Sequence, residues 1–189
     1  MATRKPTALD PQAVRRTARL LHSSRDVDRA LARMAEEIDA KLAGTNPVVL
    51  AVMHGGVFAA VELSKRLRFP HEFDYVHVTR YRGATRGAEL QWRVRPGKAL
   101  AGRTVLVVDD ILDRGKTLRA LGDELERLGV REQMHAVLVV KRLARKQARR
   151  EVTVSGLTVD DVYVFGSGMD YRGYWRTLAG VYAVDQERV

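Results

Sequence analysis

Three carboxylates, Asp109, Asp110 and Asp113, stand directly ahead of the run Arg114-Gly115-Lys116-Thr117. The apolar, β-branched residues before them ("VLVV", 105–108) read as a buried strand, and a helical pattern opens at Lys116. A strand that turns tightly into a helix presents consecutive backbone N–H groups and the positive end of a helix dipole, a natural seat for a phosphate. The loop is not that of a nucleoside-triphosphate P-loop, because GxxxxGK[ST] requires glycine at the position that Asp110 occupies. The acids must therefore serve another part of the ligand. Carboxylates accept hydrogen bonds from hydroxyls and lie close to metal-bound groups. A phosphate ester of a polyol, such as a ribose 5-phosphate, would use both halves of this segment.

The stretch "VLVVDDILDRGKTL" (105–118) resembles the phosphoribosyl diphosphate (PRPP) binding motif of the type I phosphoribosyltransferases: an apolar strand, two acids, a short spacer and a phosphate loop. Within that family, Asp113 matches the position at which the 6-oxopurine enzymes, those acting on hypoxanthine, guanine or xanthine, carry an aspartate. Further segments follow in the family's order. "MHGG" (53–56) resembles the diphosphate loop, usually Leu-Lys-Gly-Gly. "VVKR" (139–142) resembles the strand end whose lysine reads the purine O6, and "VYVFGSGMDYRGYWR" (162–176) the segment that stacks on the base. The likeness spans about 23 to 184.

The resemblance implies transfer of the 5-phosphoribosyl group of PRPP to hypoxanthine or guanine, giving IMP or GMP and diphosphate, with Mg2+ as cofactor. It implies that Asp113 is the general base for the purine N7 proton. With it, Asp109, Asp110, Arg114, Gly115, Lys116 and Thr117 would hold the ribose phosphate. His54, Gly55 and Arg176 would take the diphosphate, and Lys141, Tyr163 and Val164 the purine. Asp170 would bind the metal, and Arg80 and Tyr81 would belong to a lid. Three positions depart from the family pattern: His54 replaces a lysine, Arg80 a serine and Arg114 a threonine. Taken singly, Lys141 reads equally as an exposed strand end, Tyr163 as a core aromatic, Asp170 as a turn former and Arg176 as a surface arginine packed beside Trp175. Their joint order carries the resemblance.

These residues need a frame. Val27, Leu31, Met34, Ile38 and Leu42 recur at helical spacing, with Ser23 or Ser24 to cap the start and Gly44 to stop it. "PVVLAVM" (47–53) suits a strand buried on both faces, followed by a helix from 57 to about 67. Strands are expected at "FDYVHVTRY" (73–81), "TVLVVDD" (104–110) and "MHAVLVVKR" (134–142), with a helix at 116–128 stopped by Gly129. Shorter strands are expected in "DVYVFGSG" (161–168) and "GVYAV" (180–184). Alternating strands and helices predict an α/β fold with a central parallel sheet flanked by helices. The resemblance adds a small hood built from the N- and C-terminal segments. Residues 1–22 read as an N-terminal extension or frayed helix and 23–189 as the phosphoribosyltransferase domain. Residues 82–102, rich in Gly and Arg, make a connection too long for an ordinary loop. They read as a flexible lid, with room for a hairpin around "ELQWRVRP" or for a plain surface insertion.

Composition bounds the rest. At 189 residues and 46% hydrophobic, the chain reads as one domain with a real core, with room for a small appended subdomain. The absence of cysteine excludes disulfides, a thiol nucleophile and cysteine metal sites. The start "MATRKPTALDPQAVRR" lacks the apolar core of a secretory signal, and no apolar run approaches the roughly 18 residues of a membrane span. A cytoplasmic protein without membrane contact is expected, and the family suggests a homodimer or homotetramer. The net charge of +10 calls for an anionic partner, a phosphorylated small molecule or a nucleic acid. The run "KRLARKQARR" (141–150), with six basic residues in ten, supports a rival reading as an RNA-binding regulator on the same fold. Against it stand Asp113, not usual in such regulators, and a run with no aromatic residue for base stacking. Nucleic acid is therefore the less favoured partner.

Overall fold

The computed structural model describes residues 10–80, 90–142 and 152–185. Apolar residues with no polar alternation need a partner on both sides, and the central strands find one. The main sheet holds six strands in the order β4-β3-β2-β5-β6-β7. They are β2 (Val48–Met53), β3 (Glu72–Arg80), β4 (Leu90–Val94), β5 (Thr104–Leu112), β6 (Glu132–Lys141) and β7 (Val154–Val159). All neighbours pair in parallel except β3 and β4, which run antiparallel, so the expected parallel sheet is a mixed one with an antiparallel edge.

Side-chain alternation divides the core in two. Val49, Ala51, Leu106 and Val108 point to the face covered by α2 (Ser24–Leu42) and α3 (Gly56–Ser64). Val48, Leu50, Val105 and Val107 point to the opposite face, where Leu118, Leu121 and Leu125 of α4 (Lys116–Arg127) meet them. The apolar stripe predicted for α2 is the buried one. Its start is a capping box: the Ser23 hydroxyl accepts from the Asp26 N–H at 3.2 Å, and the Asp26 carboxylate accepts from the Ser23 N–H at 2.9 Å. The hydrogen bonds from Ser23, with the Arg29 guanidinium, hold the Asp26 carboxyl down at about 2.

One expectation differs from the structure, the hairpin allowed for in the long connection is present, and one strand is new. The described part of the N-terminal segment is not frayed. It forms α1 (Pro11–Thr17) and β1 (Arg19–His22), and β1 joins β9 (Val181–Ala183) and β8 (Val164–Phe165) in a three-stranded antiparallel hood, order β1-β9-β8. Val14 of α1 packs with Phe165, Tyr171 and Val184, and Trp175 Nε1 donates to the Pro11 carbonyl at 2.8 Å. Within the long connection, 90–94 form β4, with Trp92 opposite Val78, while 81–89 lie outside the described residues. Finally, β7 was not expected. Its Gly156 sits where a Cβ would run into the Leu138 carbonyl, so the close approach of β6 excludes a side chain that would have marked a strand.

Candidate active site

In open α/β sheets, ligands lie outside the carboxyl ends of the strands where the strand order reverses. Here that point falls between β2 and β5, and the residues following both strands meet there. β5 delivers Asp109 and Asp110. Asp109 is buried, and its Oδ1 accepts from the Asp110 N–H at 2.9 Å. Burial pushes the Asp110 carboxyl up from the usual range, while its hydrogen bonds and the Arg176 charge pull it back. The turn that follows ends on Gly115, whose φ of 69° makes it a left-handed cap at the N-terminus of α4. The turn thus leads straight into a helix N-terminus, where the sequence predicts a phosphate seat.

The loop after β2 crosses over this acid pair. The Met53–His54 peptide bond is cis, and a Cβ on Gly55 would overlap the Asp110 carboxylate. Segment 166–170 packs on top: Gly168, at φ 103°, faces the Gly55 carbonyl where no Cβ fits. The His54 imidazole stands exposed at the rim, edge-on to His77 with ring centroids 4.5 Å apart. Burial, with the charges of His54 and Arg93, lowers the His77 pKa.

Two adjoining spaces result. The larger, about 550 Å³, is lined by His54, Gly55, Asp109, Asp110, Asp113, Arg114, Gly115 and Thr117, with Tyr163, Asp170 and Arg176 closing the far side. The smaller, about 190 Å³, is lined by Asp113, Lys141, Tyr163, Val164, Asp170 and the apolar Ile111 and Met169. Lys141, at the end of β6, extends its ammonium between two acids: Nζ lies 3.0 Å from Asp161 Oδ1 and 3.4 Å from Asp113 Oδ1. Tyr163 is 46% exposed, its hydroxyl donating to the Asp170 carbonyl at 3.2 Å and its ring edge-on to Tyr171. Val164 is buried in β8. Arg176 pairs with Asp170 at 2.5 Å and donates to the Gly168 carbonyl at 2.7 Å, while the other Asp170 oxygen accepts from the Gly173 N–H at 2.6 Å.

Most of the residues singled out in the sequence thus converge on two neighbouring spaces. Lys116 is an exception, its side chain exposed and outside both linings. Arg80 ends β3, and Tyr81 lies outside the described residues. Sequence reasoning missed Asp161, His77 and the apolar walls Ile111 and Met169. Asp161 carried one available signal, an acid between a strand and an aromatic stretch, but its partner is twenty residues earlier in the chain. A separate groove of about 460 Å³ between α2, α3 and 177–179 is mainly apolar. Its charged groups are paired with one another, Arg66 with Asp28 and Glu62, and it offers nothing for this chemistry.

A hypoxanthine-guanine phosphoribosyltransferase of Lactococcus lactis is 30% identical over 164 residues, covering 85% of this chain and 87% of that protein. A hypoxanthine-guanine-xanthine phosphoribosyltransferase of Tritrichomonas foetus is 29% identical over 160 residues, with the same shares. The crystal structure of a hypoxanthine phosphoribosyltransferase from Staphylococcus aureus superposes with a TM-score of 0.83 at 25% identity, over 90% of this chain and 92% of that one. The family described as "Phosphoribosyl transferase domain" matches residues 20–172, the span that contains β2, β5, β6 and all the acids of the site, and to that family the chain belongs.

Proposed function

We propose that this protein transfers the 5-phosphoribosyl group of PRPP to hypoxanthine or guanine, releasing diphosphate. The observation that carries this reading is the small space beside the phosphate turn, where an ammonium (Lys141), a carboxylate (Asp113) and an exposed aromatic face (Tyr163) converge. A 6-oxopurine offers a matching set: an O6 acceptor, an N7 proton and a planar π-system.

In this reading the N–H groups of 114–117 hold the 5-phosphate and Asp109 and Asp110 hold the ribose hydroxyls. Tyr163 stacks on the purine, and Lys141 donates to O6. Asp113 takes the N7 proton as the glycosidic bond forms, a step that positioned general bases typically accelerate ~10²–10⁴-fold. Arg176 and the backbone around Gly55 receive the diphosphate. The departing group is highly charged, and Mg2+ would neutralise it. Among the described residues no group of three or more acids or histidines could hold a metal. Mg2+ is usually bound through one or two carboxylates together with substrate oxygens and water. We assign Asp170, at the wall of the larger space, as the carboxylate that would hold it. The reading extends to a homodimer or homotetramer, supported by apolar side chains left exposed on α3 and β3, Val61, Phe73 and Tyr75. For the RNA-binding alternative no observation speaks, since 143–151 lie outside the described residues.

The test is a steady-state assay with PRPP, Mg2+ and each of hypoxanthine, guanine, xanthine and adenine. Turnover of hypoxanthine or guanine well above adenine is expected. Equal turnover of adenine would sink the base assignment, and no turnover of any base would remove the reading altogether.

A further inference from the structure

Lys141 is held by two acids from different parts of the chain. Asp113 follows β5, and Asp161 stands in the turn between β7 and β8. The nearer acid is Asp161, at 3.0 Å against 3.4 Å. The lysine side chain is only 16% exposed, whereas both acids are about half exposed (47% and 52%), so the ammonium is the sheltered member of the trio. An ammonium has three donors. Asp161 accepts from it, Asp113 lies 3.4 Å away without accepting, and no other protein acceptor occurs among the described residues, while Lys141 lines the smaller space. Next along the chain, Arg142 pairs with Asp160 at 2.9 Å and its N–H bonds the Val159 carbonyl at 2.7 Å. The backbone bond is what ties the end of β6 to the strand leading into Asp161, since both side chains of the Arg142–Asp160 pair are exposed.

We infer that Asp161 is a positioning residue for the transfer reaction: it holds the Lys141 ammonium off Asp113 and over the base. This rests on the reading of Asp113 as the general base and Lys141 as the O6 donor. The physical reason is competition. An ammonium with a single carboxylate neighbour closes on it, because charge-assisted hydrogen bonds shorten to about 2.7–2.9 Å. Closure on Asp113 would occupy the lone pairs needed for the N7 proton and withdraw the donor from O6. A second carboxylate on the opposite side balances the pull and leaves the 3.4 Å gap.

The experiment compares Asp161→Asn, Asp161→Glu and Asp160→Asn in the full chain, with separate KM values for base and PRPP. In Asp161→Asn the KM for base should rise about 10-fold, the scale of one charge-assisted hydrogen bond, and kcat should fall about 10-fold. The KM for PRPP should stay within about two-fold, because backbone N–H groups hold the phosphate. Asp161→Glu should restore most of both losses. Asp160→Asn, which breaks the neighbouring ion pair in the same turn, should leave all three constants unchanged. Unchanged constants in Asp161→Asn would overturn the inference, as would a PRPP KM rising in step with that for base. Asp113→Asn, run alongside, separates the two claims. If it retains kcat, the general-base reading fails and Asp161 falls with it. If it loses kcat while Asp161→Asn does not, only the role of Asp161 is lost.

Discussion

Lys141 Nζ and Asp113 Oδ1 lie 3.4 Å apart, brought together by the parallel pairing of β6 with β5. The distance is too long for a tight ion pair and short enough for one small planar ligand to touch both groups. The two side chains to which we assign donation to O6 and acceptance from N7 thus stand side by side at the ends of paired strands.

Asp113→Asn keeps the size of the side chain and the shape of the turn but removes its ability to take a proton. We expect kcat to fall about 10²-fold or more, with a much smaller change in PRPP affinity. The loss should shrink at high pH, where more of the purine loses its proton in solution. Stopped-flow or steady-state rates across pH check this, and an unchanged kcat would reduce Asp113 to a turn former.

Lys141→Ala should weaken base binding by roughly 1.5–3 kcal/mol, the worth of a hydrogen bond to a charged group. PRPP affinity should change far less. Calorimetric titrations with each ligand separate the two, and a larger effect on PRPP would place Lys141 away from the base.

Gly55→Ala puts a Cβ onto the Asp110 carboxylate. Either the Asp110 side chain or the loop after β2 must then shift, so PRPP affinity should fall at least about 10-fold while far-ultraviolet circular dichroism stays unchanged. Retained PRPP affinity in a titration would show that this close packing is dispensable.

The capping box gives a pH signature. The Asp26 carboxyl titrates at about 2 in the folded protein against 3.8 in the free side chain. A depressed acid adds stability above its unfolded value, and that share is lost as pH falls through the folded one. The melting temperature should therefore drop between about pH 4 and 2, less steeply in Asp26→Asn, which should also melt lower at neutral pH. Parallel slopes in the two proteins would mean that this helix start contributes nothing to the acid transition.

Legibility in the sequence followed contiguity. The turn 105–118 was readable because strand, acids, glycine and helix start lie in one stretch, and α2 because its stripe repeats five times. The same contiguity hid the rest. β1 is four residues long, too short to show a period, and owes its existence to β9 at the other end of the chain. β7 carries Gly156 against the β6 backbone. Asp161 could not be read as part of the site because what gives it meaning, the Lys141 ammonium, is reached through space. The hood itself was expected only from family likeness, since no local pattern announces it.

In the hood, β9 lies between β1 and β8, and its Ala183 pairs with both Arg19 and Val164. The Val184 N–H also bonds the carbonyl of Tyr163 at 2.9 Å. The wall on which a base would stack is therefore finished by nearly the last described residues of the chain. Fraying of 181–184 should therefore loosen the purine wall, while the seat formed within 105–118, held by the main sheet, keeps its shape.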